Sequence, residues 1–220
     1  LPHLAGRPVS LVRCPDGRDG ECFFQKHRAK GMPAALRPVE IEESDGERAT
    51  YVLIEDAEGL AAAAQVGALE LHVWGAPADR PDRPDRLVLD LDPGEGLAFS
   101  DVREAAREVR DVLGAAGLES FPLLTGGKGI HVVVPLAGED DWDRVKAFAR
   151  AAATALARAD PDRYVAKAAK SARKGRIFVD WLRNARGATA IAPLSPRARR
   201  DAPVARSEER RVGKECVSEC

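Results

Sequence analysis

Two carboxylates stand two residues apart in Leu87-Val-Leu-Asp-Leu-Asp-Pro93, and they are the side chains here best suited to chemistry. On a strand, successive side chains alternate, so Asp90 and Asp92 would share one face. A face with two hard oxygen ligands is half of a divalent-metal site. The apolar neighbours Leu87, Val88, Leu89 and Leu91 predict a buried strand. Carboxylates in such a place are costly unless a cation or hydrogen bonds compensate. A D-x-D pair alone is weak evidence, because it also occurs at helix caps and in sugar transferases that hold a nucleotide-bound metal.

Two further segments sharpen the reading. Thr125-Gly-Gly-Lys-Gly-Ile-His131 is a glycine-rich turn in which backbone amides can approach an anion, with Lys128 and Thr125 as added donors. It lacks the spacing of a Walker A loop, and Gly-Gly alone would suit a plain hairpin. Ile177-Phe-Val-Asp-Trp181 is a second apolar strand with one aspartate, Asp180. Phosphoryl transfer with two metals about 3.5–4 Å apart needs carboxylates on rigid strands, and Asp90, Asp92 and Asp180 would supply them. His72, in Leu69-Glu-Leu-His-Val-Trp74, falls on the same strand face as Glu70 and Trp74, where a structural histidine is the default. Of Phe23 and Phe24, alternation sends one ring inward and leaves the other as a stacking platform for a base. Arg173, Arg183 and Arg197 could grip phosphate oxygens, though spacing does not single them out.

The chain has 220 residues, 45% of them hydrophobic, enough for one sizeable core or a core with a small satellite. Net charge is −1, which by itself predicts no partner. Residues 161–200, however, hold eleven Lys/Arg against Asp162 and Asp180. That local excess fits a polyphosphate or nucleic acid, or else a solvated basic face. The four cysteines show no zinc spacing, and Cys14 and Cys22 read as reduced thiols. No apolar run reaches the ~18 residues of a membrane span and no signal peptide is visible, so a soluble, intracellular protein is expected. Leu1 is not an initiator methionine, and both ends look cut. Residues 206–220, charged and without periodicity, are expected to lie outside the fold.

The elements that must position these residues follow from pattern. Strands are predicted at 9–13 and 21–25 around Asp16–Gly20, and at 38–42 and 50–54 around Ser44–Gly46. An Ala-rich helix fits 57–66 and a strand 69–74, followed by the proline-broken loop 79–86. A helix fits 101–116, with Asp101 and Glu104 as a capping-box-like start and Gly117 as a stop. Strands at 121–124 and 130–135 flank the glycine turn, and a second amphipathic helix covers 141–158. This alternation predicts an α/β (α+β) fold with a mixed central sheet and flanking helices.

Taken together, Phe23-Phe24-Gln-Lys-His27, Ala68-Leu-Glu-Leu-His-Val-Trp-Gly75, Leu89-Asp-Leu-Asp-Pro-Gly94, Thr125–His131 and Val179-Asp-Trp-Leu-Arg-Asn184 resemble the polymerase domain of bacterial DNA ligase D, of the archaeo-eukaryotic primase superfamily. The resemblance implies a primase-polymerase domain with an RRM-like catalytic core over residues 1–205, truncated at both ends. It implies a template-dependent nucleotidyltransferase of non-homologous end joining, acting on DNA ends or gapped primer-template DNA. Ribonucleotides would be preferred over deoxyribonucleotides, and two divalent cations, manganese or magnesium, would be required. By motif position Asp90, Asp92 and Asp180 would be metal ligands. His72, Thr125, Lys128, His131, Arg173, Arg183 and Arg197 would meet the nucleotide, with His131 either contacting it or ordering the turn. Phe23, Phe24 and Lys26 would touch template and primer terminus. Ku and flanking ligase and nuclease domains would be partners, in the nucleoid region of a bacterial cytoplasm.

This sequence departs from the resemblance at three places: Thr125 stands where serine is usual, Arg183 where glutamine is frequent and Leu194 where tyrosine is frequent. Three alternatives stay open at this point. One is a primase-polymerase of a replicon or mobile element, which would start chains de novo. A non-catalytic DNA-end-binding module would leave the buried aspartates unexplained, and a nucleotide-sugar transferase rests on the D-x-D alone.

Overall fold

The computed structural model describes residues 1–207, which form two six-stranded sheets and three α-helices. The first sheet is built from β1 (Val9–Arg13), β2 (Phe23–Gln25), β3 (Arg37–Glu42), β4 (Arg48–Leu53), β5 (Ala68–Trp74) and β11 (Thr189–Ile191). Its order is β11-β5-β1-β4-β3, with β2 paired to β1, and its pairings are antiparallel. The second sheet is built from β6 (Arg86–Pro93), β7 (Phe121–Leu124), β8 (Ile130–Pro135), β9 (Tyr164–Val165), β10 (Ile177–Asp180) and β12 (Arg206–Ser207). Its order is β12-β7-β8-β6-β10-β9, mixed because β9 and β10 run parallel. The expected mixed sheet with helices is therefore the second sheet, while the N-terminal strands make a sheet of their own.

Helix α1 (Ala57–Gln65) packs on the first sheet; α2 (Phe99–Ala115) and α3 (Trp142–Ala159) pack on the second. The caps follow from local chemistry. Asp56 and Asp141 each accept a backbone N–H from the first turn, at 2.8 Å from Gly59 and 2.9 Å from Arg144. At α2 the N-cap is Ala98, so only half a capping box forms: Asp101 accepts the Ala98 N–H at 2.7 Å. The helix thus begins two residues before Asp101. It ends at Gly117, whose φ of +78° lets Leu118 N–H bond back to the Leu113 carbonyl at 3.0 Å.

Alternation in the second sheet decides what reaches the site. Leu87, Leu89, Leu91, Ile130, Val132, Val134, Ile177 and Val179 point to α2 and α3 and form the main core. Their strand neighbours Val88 and Val133 point the other way and meet Ile191 and Ala205, joining the two sheets. Asp90, Asp92, His131 and Asp180 share this second face. The leucines beside the aspartates in sequence are therefore not their neighbours in space.

Three expectations need correcting. Cys14 and Cys22 are joined in a disulfide, not free thiols: Arg13 pairs with Phe23, so the next positions outward face each other across the hairpin. Phe23 and Phe24 are both exposed, at 43% and 53%, because β2 pairs only with β1 at the sheet's margin. The boundary drawn at Ala205 moves outward by two residues, since Arg206 and Ser207 pair with Leu124 and Leu123. The remainder of the expected tail lies outside the described residues.

Candidate active site

Asp90 sits at the centre of the site because β6 lies between β8 and β10. His131 faces it from β8 and Asp180 from β10, both in direct register. Phe178 is opposite Asp92 in the same ladder. One oxygen from each of Asp90, Asp92 and Asp180 lies within 4.8 Å of the others. The strand past Asp180 is continued by a side chain. Buried Asn184 accepts the Val88 N–H at 2.8 Å and donates to the Val88 carbonyl at 2.7 Å, clamping β6 where β10 has ended.

The three carboxylates are not equivalent. Asp90, with its side chain 4% exposed, lies 3.3 Å from His131 Nε2 and accepts Arg183 Nε–H at 2.6 Å, both on Oδ2. Burial alone would push its carboxyl up, but the His131 ring and the Arg183 guanidinium together hold it at about 2. Asp92 goes the other way: burial and the adjacent Asp90 charge raise it, against Arg183 and Arg173. Burial also raises Asp180, against the Leu182 amide that donates to Oδ1 at 2.8 Å. An all-oxygen cluster in which two acids resist ionisation fits hard divalent cations, which would relieve that resistance.

The glycine turn closes over this cluster. A Cβ at Gly129 would stand 2.8 Å from the Leu91 carbonyl, and 3.3 and 3.4 Å from Oδ1 of Asp92 and Asp90. Only glycine brings the turn this near without filling the space among the carboxylates. Thr125 Oγ1 donates to the Gly129 carbonyl at 2.9 Å and so braces the turn. Gly94 plays the same part for Arg173: a side chain there would collide with the Arg173 carbonyl. Arg173 lies 3.9 Å above the Phe178 ring and 3.9 Å from Asp92.

These groups line a cavity of about 330 Å³. Each expected nucleotide-contacting residue borders it: His72, Thr125, Lys128, His131, Arg173, Arg183 and Arg197. Asp90 and Asp92 border it too. The expected DNA-contacting residues lie on β2 and just after it. Phe24 meets His72 edge-on at 5.8 Å between ring centroids, Phe23 lies under the Arg13 guanidinium, and Lys26 pairs with Glu43 at 2.5 Å.

A family model described as LigD, primase-polymerase domain, matches residues 1–208. The chain belongs to the LigD primase-polymerase family. It is 44% identical over 205 residues to the multifunctional non-homologous end joining protein LigD of Pseudomonas aeruginosa, covering 93% of this chain and 24% of that protein. The bifunctional LigD of Bacillus subtilis is 31% identical over 198 residues, covering 90% of this chain and 31% of that protein. The chain thus spans about a quarter to a third of these relatives. Among solved structures, the polymerase domain of Mycobacterium tuberculosis ligase D in complex with DNA aligns with a TM-score of 0.86 at 36% identity, over 94% of this chain and 75% of that one.

Two residues of this LigD-type site escaped the sequence reading. Glu70 is buried, and its carboxylate gathers His72 Nε2 at 2.8 Å, Arg197 Nε–H at 3.0 Å and the Ala198 N–H at 2.9 Å. Burial would raise it, but these partners hold it at about 2. Arg197 then donates to the Thr125 carbonyl at 2.7 Å, so Glu70 links the first sheet to the glycine turn. The strand period already placed Glu70 beside His72, which was the available signal. Arg199 borders the cavity and approaches Gly127. Nothing in its spacing separates it from the other cations of the basic stretch. That stretch divides in space: Arg163 pairs with Glu104 and Glu108, and Arg186 with Asp82, and neither borders the cavity. No helix among the described residues is long and apolar enough to cross a membrane.

Proposed function

We propose that this chain is a template-directed nucleotidyltransferase that adds nucleotides to 3′ ends at DNA breaks, in bacterial non-homologous end joining. The observation that carries the reading is a cluster of three carboxylates from two paired strands, of which Asp90 and Asp92 border a cavity whose other charged walls are cationic. Asp90, Asp92 and Asp180 would hold two divalent cations, which when bound make the primer hydroxyl more acidic and neutralise the triphosphate. The rest falls to the chain. Lys128, Arg173, Arg183, Arg197 and His72 supply donors around one cavity, where phosphate charge can be matched. The glycine turn places its backbone close above the carboxylates, so a triphosphate along it meets the primer terminus from a defined side. Phe23 and Phe24 are both exposed, and Phe24 meets His72 at the cavity's edge, so the pair would form a platform for template bases.

In the reaction the primer 3′ oxygen bonds to the α-phosphorus and the bond to the bridging oxygen breaks. Pyrophosphate leaves, and the hydroxyl proton passes to solvent. Ribonucleotides over deoxyribonucleotides, manganese over magnesium, and Ku with ligase and nuclease domains as partners complete the proposal, as family likeness suggests. Primer extension on gapped DNA, with each nucleotide type and each metal, tests it. Incorporation should depend on a divalent cation and disappear in Asp180→Ala and Asp92→Ala. Sustained incorporation by either variant at saturating manganese would remove the carboxylate cluster from the chemistry.

A further inference from the structure

Arg183 sits where a cation is expected. Its Nε–H donates to Asp90 Oδ2 at 2.6 Å and lies 3.9 Å from Asp180 Oδ2, while NH1 reaches the Thr189 carbonyl at 3.4 Å. The same Asp90 oxygen is 3.3 Å from His131 Nε2, so Oδ2 is engaged twice by the chain itself. A donor that the chain places on a carboxylate oxygen must yield before an incoming cation can take that oxygen. In this arrangement Asp90 can offer only Oδ1 freely. Three carboxylates this close also need positive charge before any ion arrives, and Arg183 touches two of them.

We propose that Arg183 is a tethered counter-ion, occupying part of the seat of one divalent cation and leaving Asp90 when that cation binds. This rests on the carboxylate cluster being a cation site, as proposed above. Arg183 thereby sets how tightly the carboxylate cluster takes up metal. Its guanidinium borders the same cavity as Lys128, Arg173, Arg197 and Arg199, so on release it has another anion-binding surface beside it. A neutral residue of similar reach at this position would leave the seat open and the cation affinity higher.

The test is manganese binding to the whole chain by titration calorimetry, without nucleotide or DNA. Arg183→Gln should bind manganese about tenfold more tightly than the parent, the value of roughly one charge-assisted hydrogen bond no longer displaced. Equal or weaker binding by Arg183→Gln, with the parent also binding, overturns the counter-ion role and leaves the cation site standing. No binding by either protein overturns both. A second measurement needs no variant: the Nε–H resonance of Arg183 is followed by NMR as magnesium is added to the parent chain. A saturable shift of that resonance supports displacement, and an unmoved resonance at saturating magnesium refutes it.

Discussion

Replacing Glu70 by glutamine removes a charge from the link between the two sheets while keeping the side chain's size. Glu70 is held at about 2 against an ordinary 4.5, because His72, the Ala198 amide and Arg197 outweigh its burial. Its side chain is only 8% exposed, so little solvent screening applies. At about 1.4 kcal/mol per tenfold change in proton affinity, the ionised form stabilises the fold by roughly 3 kcal/mol. The variant also leaves Arg197 without its carboxylate partner and turns an amide N–H₂ toward donors on one side. Urea unfolding at pH 7 should show a deficit of about 2–3 kcal/mol. The pH dependence has a definite sign. A depressed carboxylate stabilises above the unfolded value of 4.5 and loses that contribution as pH falls toward about 2. The gap between parent and variant should therefore shrink by roughly half or more at pH 3. A variant within about 0.5 kcal/mol of the parent at pH 7, or a gap unchanged at pH 3, would refute the reasoning.

Other perturbations reach different parts of the site. Gly129→Ala should fold with a loss of about 1–3 kcal/mol and bind manganese poorly in calorimetry, because its methyl group must displace the Leu91 carbonyl or crowd two carboxylates. Asp92→Asn should be at least as stable as the parent at pH 7 without metal. Burial and Asp90 raise this carboxyl, so its ionisation opposes folding as pH rises through the folded value; a large drop in melting temperature would contradict this. Asn184→Ala strips Val88 of both backbone partners and should cost about 2–4 kcal/mol in denaturant unfolding. Reducing the Cys14–Cys22 disulfide frees a short loop and should cost about 2–3 kcal/mol on the chain-entropy estimate, read as a lower melting temperature in reductant.

Much of this architecture is legible from the amino-acid order. Period-two alternation locates β6, β8 and β10, and the helical spacing of Val102, Ala105, Ala106 and Val109 locates α2, since burying an apolar face demands those periods. The i, i+2 spacing of Asp90 and Asp92 already places them on one face. Short edge elements were less clear: β2 buries neither aromatic ring, so its pattern carries no inside or outside.

What the sequence by itself determined is local: which residues alternate, where helices start and stop, and which side chains share a strand face. Only the tertiary structure decided that Asp180 pairs with Asp90 across 90 positions, that Glu70 rather than a nearer acid holds Arg197, and which few cations of the basic stretch turn inward. Strand register is set by packing two apolar faces against helices far away in the chain, and a one-residue slip of β10 would turn Asp180 to the face opposite Asp90 and Asp92. No spacing within a single segment contains that information.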